Sequence, residues 1–230
     1  EHDDELDVGS ADLSSYDRWL DMRDGVLRRR LTWRTPTGKL VTVESERLVS
    51  LTQRHLAAVR YRVTVEQGTS DNPTTAVLLA STIKNRQDRL FDASIAARHE
   101  AIGTDDPETD PRRHRTFNHH VLQPRVIDAR PDGTLTAGYE CTNSRMKLAC
   151  VVRHDVEVSG GGDGIRVATS ATPAELTTTF AGELPTGATI TLTKYVSYHT
   201  SRYFDGADRG PAVGELVERC GRTLDRAIDQ

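Results

Sequence analysis

Between Ala57 and Val65 the chain alternates without a break. Ala57, Val59, Tyr61, Val63 and Val65 fall on one side, and Arg60, Arg62, Thr64 and Glu66 on the other. Successive side chains leave opposite faces of a pleated strand, so this pattern requires a half-buried antiparallel strand. Two more runs precede it, Val26 to Thr35 and Leu40 to Leu51, parted by the turn residues Pro36-Thr37-Gly38-Lys39. Three consecutive strands joined by short breaks predict an antiparallel sheet as the nucleus of the fold.

The rest of the chain extends that reading. Residues 1–15 are acidic and poor in apolar side chains, which predicts an extended lead-in. Gln67 to Thr74 reads as a loop containing Gly68 and Pro73. In Thr75 to Ile83, Val77, Leu79 and Ile83 stand opposite Ala76, Leu78 and Ala80, and apolar residues on both faces predict a strand buried between layers. Asp88 to Arg115, with its TDDPETDPRRHR core, has no sustained period and reads as a long loop. Strands resume over Phe117 to Ala129 and, after a Pro131-Asp132-Gly133 turn, over Leu135 to Thr142. In Met146 to Val158 the residues Leu148, Cys150, Val152, His154 and Val156 share one face with both ends. A glycine-rich turn at 159–164 leads to the runs Ile165 to Ala171, Leu176 to Ala181 and Ala188 to Tyr198. Pro185-Thr186-Gly187 is the last clear turn.

About ten closely spaced strands with no interleaved helices predict an all-β fold, a large antiparallel two-sheet sandwich. The period changes only after Pro211. Val213, Leu216, Val217, Cys220, Leu224 and Ile228 then recur at helical spacing, giving one amphipathic helix with nothing after it in the sequence to cover its stripe.

A net charge of −4 carries no footprint of nucleic-acid or anionic-membrane binding. No apolar run approaches the roughly 18 residues of a bilayer span. The cluster Arg28-Arg29-Arg30 lies inside an alternating strand, and the plainer reading is a solvated strand face with Arg29 turned inward, not a phosphate site. Three cysteines, Cys141, Cys150 and Cys220, are an odd number with no CxxC spacing. They argue against an extracellular disulfide framework and against zinc, and place the protein in a reducing, cytoplasmic compartment. Cys141 and Cys150 could be strand neighbours without being bonded. The chain starts at Glu1 without Met and stops at Gln230 within a helical pattern, which reads as a piece of a longer protein.

One stretch carries a family resemblance. LDMRDGVLRRRLTW, a short turn, then SERLVSL and RHLAAVRYRV form an ordered string of matches over about forty residues that resembles the amino-terminal domain of glycoside hydrolase family 65. Weaker likeness continues to the end of the chain. The resemblance implies a galactose-mutarotase-like super-sandwich over residues 1–210. It implies that residues 211–230 begin the helical linker to an (α/α)6 catalytic barrel lying beyond this sequence. The family's usual glycine-rich opening, an NGYLG-like run, is missing ahead of Glu1. Members are inverting phosphorylases and hydrolases of trehalose, maltose and kojibiose. The implied partners are therefore the barrel, an α-linked glucose disaccharide, phosphate as co-substrate if the enzyme is a phosphorylase, and a second copy in a homodimer. No cofactor, membrane or nucleic acid is implied.

Inverting glycoside cleavage needs a carboxylic acid for the leaving oxygen and either a carboxylate that activates water or an attacking phosphate. The 34 acidic residues supply no pair in an aromatic, sugar-stacking context. The family's general-acid glutamate and phosphate loop lie in the barrel, so no catalytic, cofactor or metal residue is assigned here. His99, His114, His119 and His120 gather around the charged loop, with His154 and His199 elsewhere. Sandwiches of this superfold can open sugar rings with two histidines and a glutamate, which leaves an aldose epimerase as one rival reading. A structural or surface role is the plainer one, and adjacent His119 and His120 point to opposite faces of a strand, against metal binding. Thr177-Thr178-Thr179 and Thr189, Thr191 and Thr193 read as solvated strand faces. Tyr195, Tyr198 and Tyr203 form a local aromatic group suited to the core, a domain contact or a sugar ring. A carbohydrate-binding module is the other rival to a supporting, non-catalytic domain.

Overall fold

The structure, a computed structural model, describes residues 5–68, 74–85, 121–162, 164–203 and 210–228. Eleven strands and one long helix are present among them. The strands are β1 (Asp12–Asp21), β2 (Val26–Arg34), β3 (Leu40–Val49), β4 (Leu56–Gln67), β5 (Thr74–Lys84), β6 (Leu122–Ala129), β7 (Leu135–Cys141), β8 (Lys147–Ser159), β9 (Arg166–Ala171), β10 (Glu175–Pro185) and β11 (Thr189–Thr200), followed by α1 (Val213–Ile228). They build an eight-stranded sheet in the order β1-β2-β3-β4-β11-β8-β7-β6 and a three-stranded sheet in the order β5-β10-β9. Every pairing is antiparallel. The expected two-sheet antiparallel architecture with a single carboxy-terminal helix is what the chain adopts.

Alternation decides what lies between the sheets. One apolar cluster joins Leu31, Val43, Val63, Val65 and Ile190 of the large sheet to Leu79, Phe180 and Leu184 of the small one. A second joins Leu135, Ala137, Tyr139 and Val152 to Leu176. A polar belt divides them. On β8, His154 falls between Val152 and Val156; on β10, Thr178 between Leu176 and Phe180; on β5, Ser81 between Leu79 and Ile83. His154 Nδ1 lies 2.9 Å from the Gly133 carbonyl and Nε2 2.7 Å from the Ser81 hydroxyl. Because a carbonyl can only accept, Nδ1 carries the proton and Nε2 accepts from Ser81. The buried Thr178 hydroxyl donates to the same carbonyl at 2.9 Å, and Lys194 Nζ donates to Thr82 O at 3.1 Å. Gly133 reaches in because its φ of +87° closes a turn that a β-carbon would strain. Its amide donates back to Arg130 O at 3.0 Å.

The helix completes a third layer. Leu216, Cys220 and Leu224 are fully buried against Ala149 and Val151 of β8, with Leu56, Tyr195 and Val217 at the margin. The stripe that lacked a cover in the sequence therefore docks on the outer face of the chain's own large sheet. An apolar helix of this length is marginal alone, and the paired strands offer the nearest apolar surface. The seat depends on Gly138, where an added β-carbon would collide with Val213 Cγ1 and meet Val126 Cβ at 3.2 Å. Gly138→Ala is expected to cost about 1–3 kcal/mol of stability through overpacking. A urea midpoint that stays put or rises in that variant would show that the helix does not press on β7.

Several expectations are corrected. Residues 12–15 are not part of an extended lead-in; they open β1, a ten-residue strand on the sheet edge. An edge strand exposed on both sides has no apolar period to betray it. β5 is not buried between layers: Thr75, Leu79 and Ser81 are buried, whereas Leu78 is 63% exposed. Small alanines and one leucine are tolerated on its open face, so apolar composition there did not signal burial. Cys141 and Cys150 are not strand neighbours, since Cys141 sits opposite Leu122 and Cys150 opposite Ala137.

Candidate functional site

The antiparallel registers stack the outer face of the large sheet into rungs, because opposed residues in neighbouring strands share a face. The first rung is Ser15-Thr32-Thr42-Thr64-Thr189-Ser159, a row of hydroxyls. Ser15 to Thr32 and Thr64 to Thr189 close at 3.0 and 2.9 Å. The second is Asp17-Arg30-Glu44-Arg62-Thr191-Glu157, and the third Trp19-Arg28-Glu46-Arg60-Thr193-Asp155. The fourth, Asp21-Val26-Leu48-Ala58-Tyr195-Arg153, turns apolar and meets the helix, where Arg153 Nη1 contacts Asp225 at 2.6 Å.

Rungs two and three hold the densest polar chemistry. Glu46 bridges Arg28 Nε at 3.0 Å and Arg60 Nη1 at 3.4 Å. Glu44 bridges Arg30 Nε at 3.6 Å and Arg62 Nη1 at 3.4 Å. Arg28 also reaches Asp21 at 2.7 Å. The Asp24 amide and the Arg28 side chain together hold the Asp21 carboxyl below its usual range, and Glu46 and then Asp21 raise Arg28. Arg28, Arg30, Arg60, Arg62, Glu44, Glu46 and Trp19 line a depression of about 210 Å³ on the sheet face. Trp19 stands at its edge, 47% exposed.

The residues singled out from the sequence are distributed differently. Arg28 and Arg30 face the depression, while Arg29 turns to the opposite side as expected, its Nε buried without a hydrogen-bond partner among the described residues. Tyr195 and Tyr198 do not form one group. They sit on opposite faces of β11, Tyr195 beside the helix and Tyr198 next to the His55 ring at 6.2 Å. The Tyr203 side chain lies outside the described residues, as do His99, His114, His119 and His120. Thr178 and Thr193 are buried, not solvated. His199 stacks on His55 at 3.9 Å, with its Nε2 3.2 Å from the Thr223 hydroxyl of the helix. Burial, then the charges of His55, Arg219, Arg54 and Arg222, push its pKa down to about 4. Trp19 escaped notice because it is 27 residues from Glu46 in sequence. Only the β1-β2-β3 register brings them onto one rung.

These features define a class: a two-sheet β-sandwich domain, capped by one helix, whose candidate site is an open, charge-paired sheet face. The chain belongs to glycosyl hydrolase family 65, whose N-terminal domain profile matches residues 2–230. An uncharacterized glycosyl hydrolase of Mycobacterium tuberculosis is 32% identical over 200 residues, 85% of this chain and 22% of its own length. The alpha,alpha-trehalose phosphorylase of Thermoanaerobacter brockii is 26% identical over 210 residues, 87% of this chain and 23% of its own. Among solved structures, a candidate kojibiose phosphorylase from the human microbiome matches the fold with a TM-score of 0.67 at 13% identity. That match covers 100% of this chain and 24% of the other. The chain thus spans less than a quarter of these relatives, which carry further domains. No helix among the described residues is long and apolar enough to cross a membrane.

Proposed function

We propose that this chain is the non-catalytic N-terminal sandwich of an inverting α-glucoside phosphorylase or hydrolase. In this reading residues 1–210 form the sandwich, and 211–230 lead on to an (α/α)6 barrel that holds the acid and the phosphate or water. The observation that carries it is the family match along residues 2–230 of a chain that covers only about a quarter of its relatives. The substrate is an α-linked glucose disaccharide, with phosphate as co-substrate if the enzyme is a phosphorylase. The setting is the cytoplasm, which the free thiols of Cys141, Cys150 and Cys220 suit.

Two surfaces support a supporting and assembling role. At the end of the large sheet, Met22, Val49 and Leu51 are 82%, 61% and 95% exposed, beside the less exposed Leu48. An apolar group of that size on one sheet end suits a covering domain. Among the described residues no strand pairs with the outer edge of β1, which carries Tyr16, Trp19 and Leu20, a surface that a second copy or another domain would cover.

The test compares two proteins on trehalose, maltose and kojibiose, with and without phosphate. The 230-residue chain is expected to give no turnover, and the full-length protein to consume one of the three. Turnover by the isolated chain that disappears on changing one of its own carboxylates would overturn the reading.

A further inference from the structure

We propose that the trough on the outer face of the large sheet binds a neutral saccharide. One sugar ring stacks on Trp19, and its hydroxyls bond to the groups of Arg28, Arg60, Glu44 and Glu46. The choice of glucose-based ligands rests on the function proposed above; the site itself does not.

The charge balance selects the ligand class. Across rungs two to four this face carries Asp17, Asp21, Glu44, Glu46, Asp155 and Glu157 against Arg28, Arg30, Arg60, Arg62 and Arg153. Carboxylates slightly outnumber guanidiniums, so the face is dense in donors and acceptors yet has no positive field to draw an anion. A polyhydroxylated neutral molecule uses such a surface well, since each hydroxyl both donates and accepts. The paired side chains also keep bonding capacity in reserve. Arg60 and Arg62 each place only Nη1 on a glutamate, at 3.4 Å, and both side chains are half-exposed. A guanidinium has five N–H donors in a planar fork, a geometry that spans two neighbouring hydroxyls. The ion pairs already hold these side chains in place, so ligand binding immobilises little more.

Trp19 supplies what a salt-bridge face does not otherwise need. It sits on the same rung as Arg28 and Glu46, beside the depression and half out of it. A tryptophan ring offers a flat apolar face with a polar N–H at its edge, matching the C–H face and hydroxyl rim of a pyranose. The volume of about 210 Å³ is below the roughly 300–1,000 Å³ of enclosed ligand pockets, so the trough takes one or two rings of a chain that otherwise stays in solvent. β1 to β4 form one continuous hydrogen-bonded sheet, so the donors are set on a rigid support.

The chain has two tryptophans, Trp19 and Trp33, which gives a direct readout. In a Trp33→Phe background, titration with maltose, trehalose and a short α-glucan should shift Trp19 fluorescence, with an affinity on the order of 1 mM. By calorimetry, Trp19→Ala should weaken binding about tenfold, Trp19→Phe should restore part of it, and Arg60→Ala should weaken it comparably, all with unchanged circular dichroism. No signal with any neutral saccharide, undiminished binding in Trp19→Ala, or tighter binding of inorganic phosphate than of sugar would each overturn the proposal. The two readings fail separately. Saccharide binding with no glucoside turnover by the full-length protein removes only the enzyme assignment. Turnover with an inert trough removes only this site.

Discussion

Leu216→Ala and Leu224→Ala should each lower the unfolding free energy by about 2–5 kcal/mol, the usual cost of emptying a buried leucine site. Both side chains are fully buried between the helix and β8, beside Ala149 and Val151. The relaxation open to them is limited, because Gly138 already lets Val213 sit as deep as the backbone allows. Domains typically hold about 5–15 kcal/mol in total, so the double variant should sit near the edge of unfolding. Urea denaturation of a dilute, monomeric sample measures it. Hydrogen exchange should show strong protection from Val213 through Leu224 in the unaltered chain. Losses below about 1 kcal/mol, or free exchange across the helix, would mean that the stripe serves a separate partner and does not belong to the sandwich.

Acid should weaken the fold through the polar belt. Burial, opposed in part by the Gly133 carbonyl and aided by the charge of Lys194, lowers the His154 pKa from 6.5 to about 4. The folded state therefore resists protonation that the unfolded chain accepts. The stabilising contribution is present in full above pH 6.5, falls as the pH drops below it, and is exhausted beneath about 4. A difference of this size corresponds to about 3 kcal/mol. His199 shifts the same way and adds to the trend. Asp132, held below its usual range mainly by the Thr134 amide, contributes only at more acid pH. Thermal or urea midpoints measured from pH 7.5 to 4 should fall in the native chain and flatten in His154→Gln. An equal fall in that variant would show that the belt is not the acid-sensitive element.

The strands with one buried face were legible in the sequence. β2, β3, β4, β10 and β11 each alternate, and burial of one side is what writes that period into a chain, whereas β7 alternates in sequence although both its faces are buried. The helix announced itself by Pro211 and the change to 3.6-residue spacing. β1 was illegible for the converse reason. An edge strand with both sides largely open gives hydrophobic pattern no force to act on, and among the described residues its register comes from pairing with β2. β5 misled through its alanines, which fit a covered or an open face equally well.

Composition and periodicity by themselves determined that this chain would be an antiparallel sandwich with one terminal helix, because strand and helix periods are local and repeated. They also placed His154 on one face with Leu148, Cys150, Val152 and Val156. What they left open was long-range. That β11 inserts between β4 and β8, that Ser81, Gly133, His154 and Thr178 meet in one belt, and that Trp19 joins Glu46 and Arg60 on one rung all depend on strand order and register. Those are settled by which apolar faces pack best across the whole molecule, and no window of neighbouring residues contains that information. The helix illustrates the same division. Its stripe demanded a cover, and only the assembled sheet, with a glycine at the point of closest approach, decided that the cover was the chain itself.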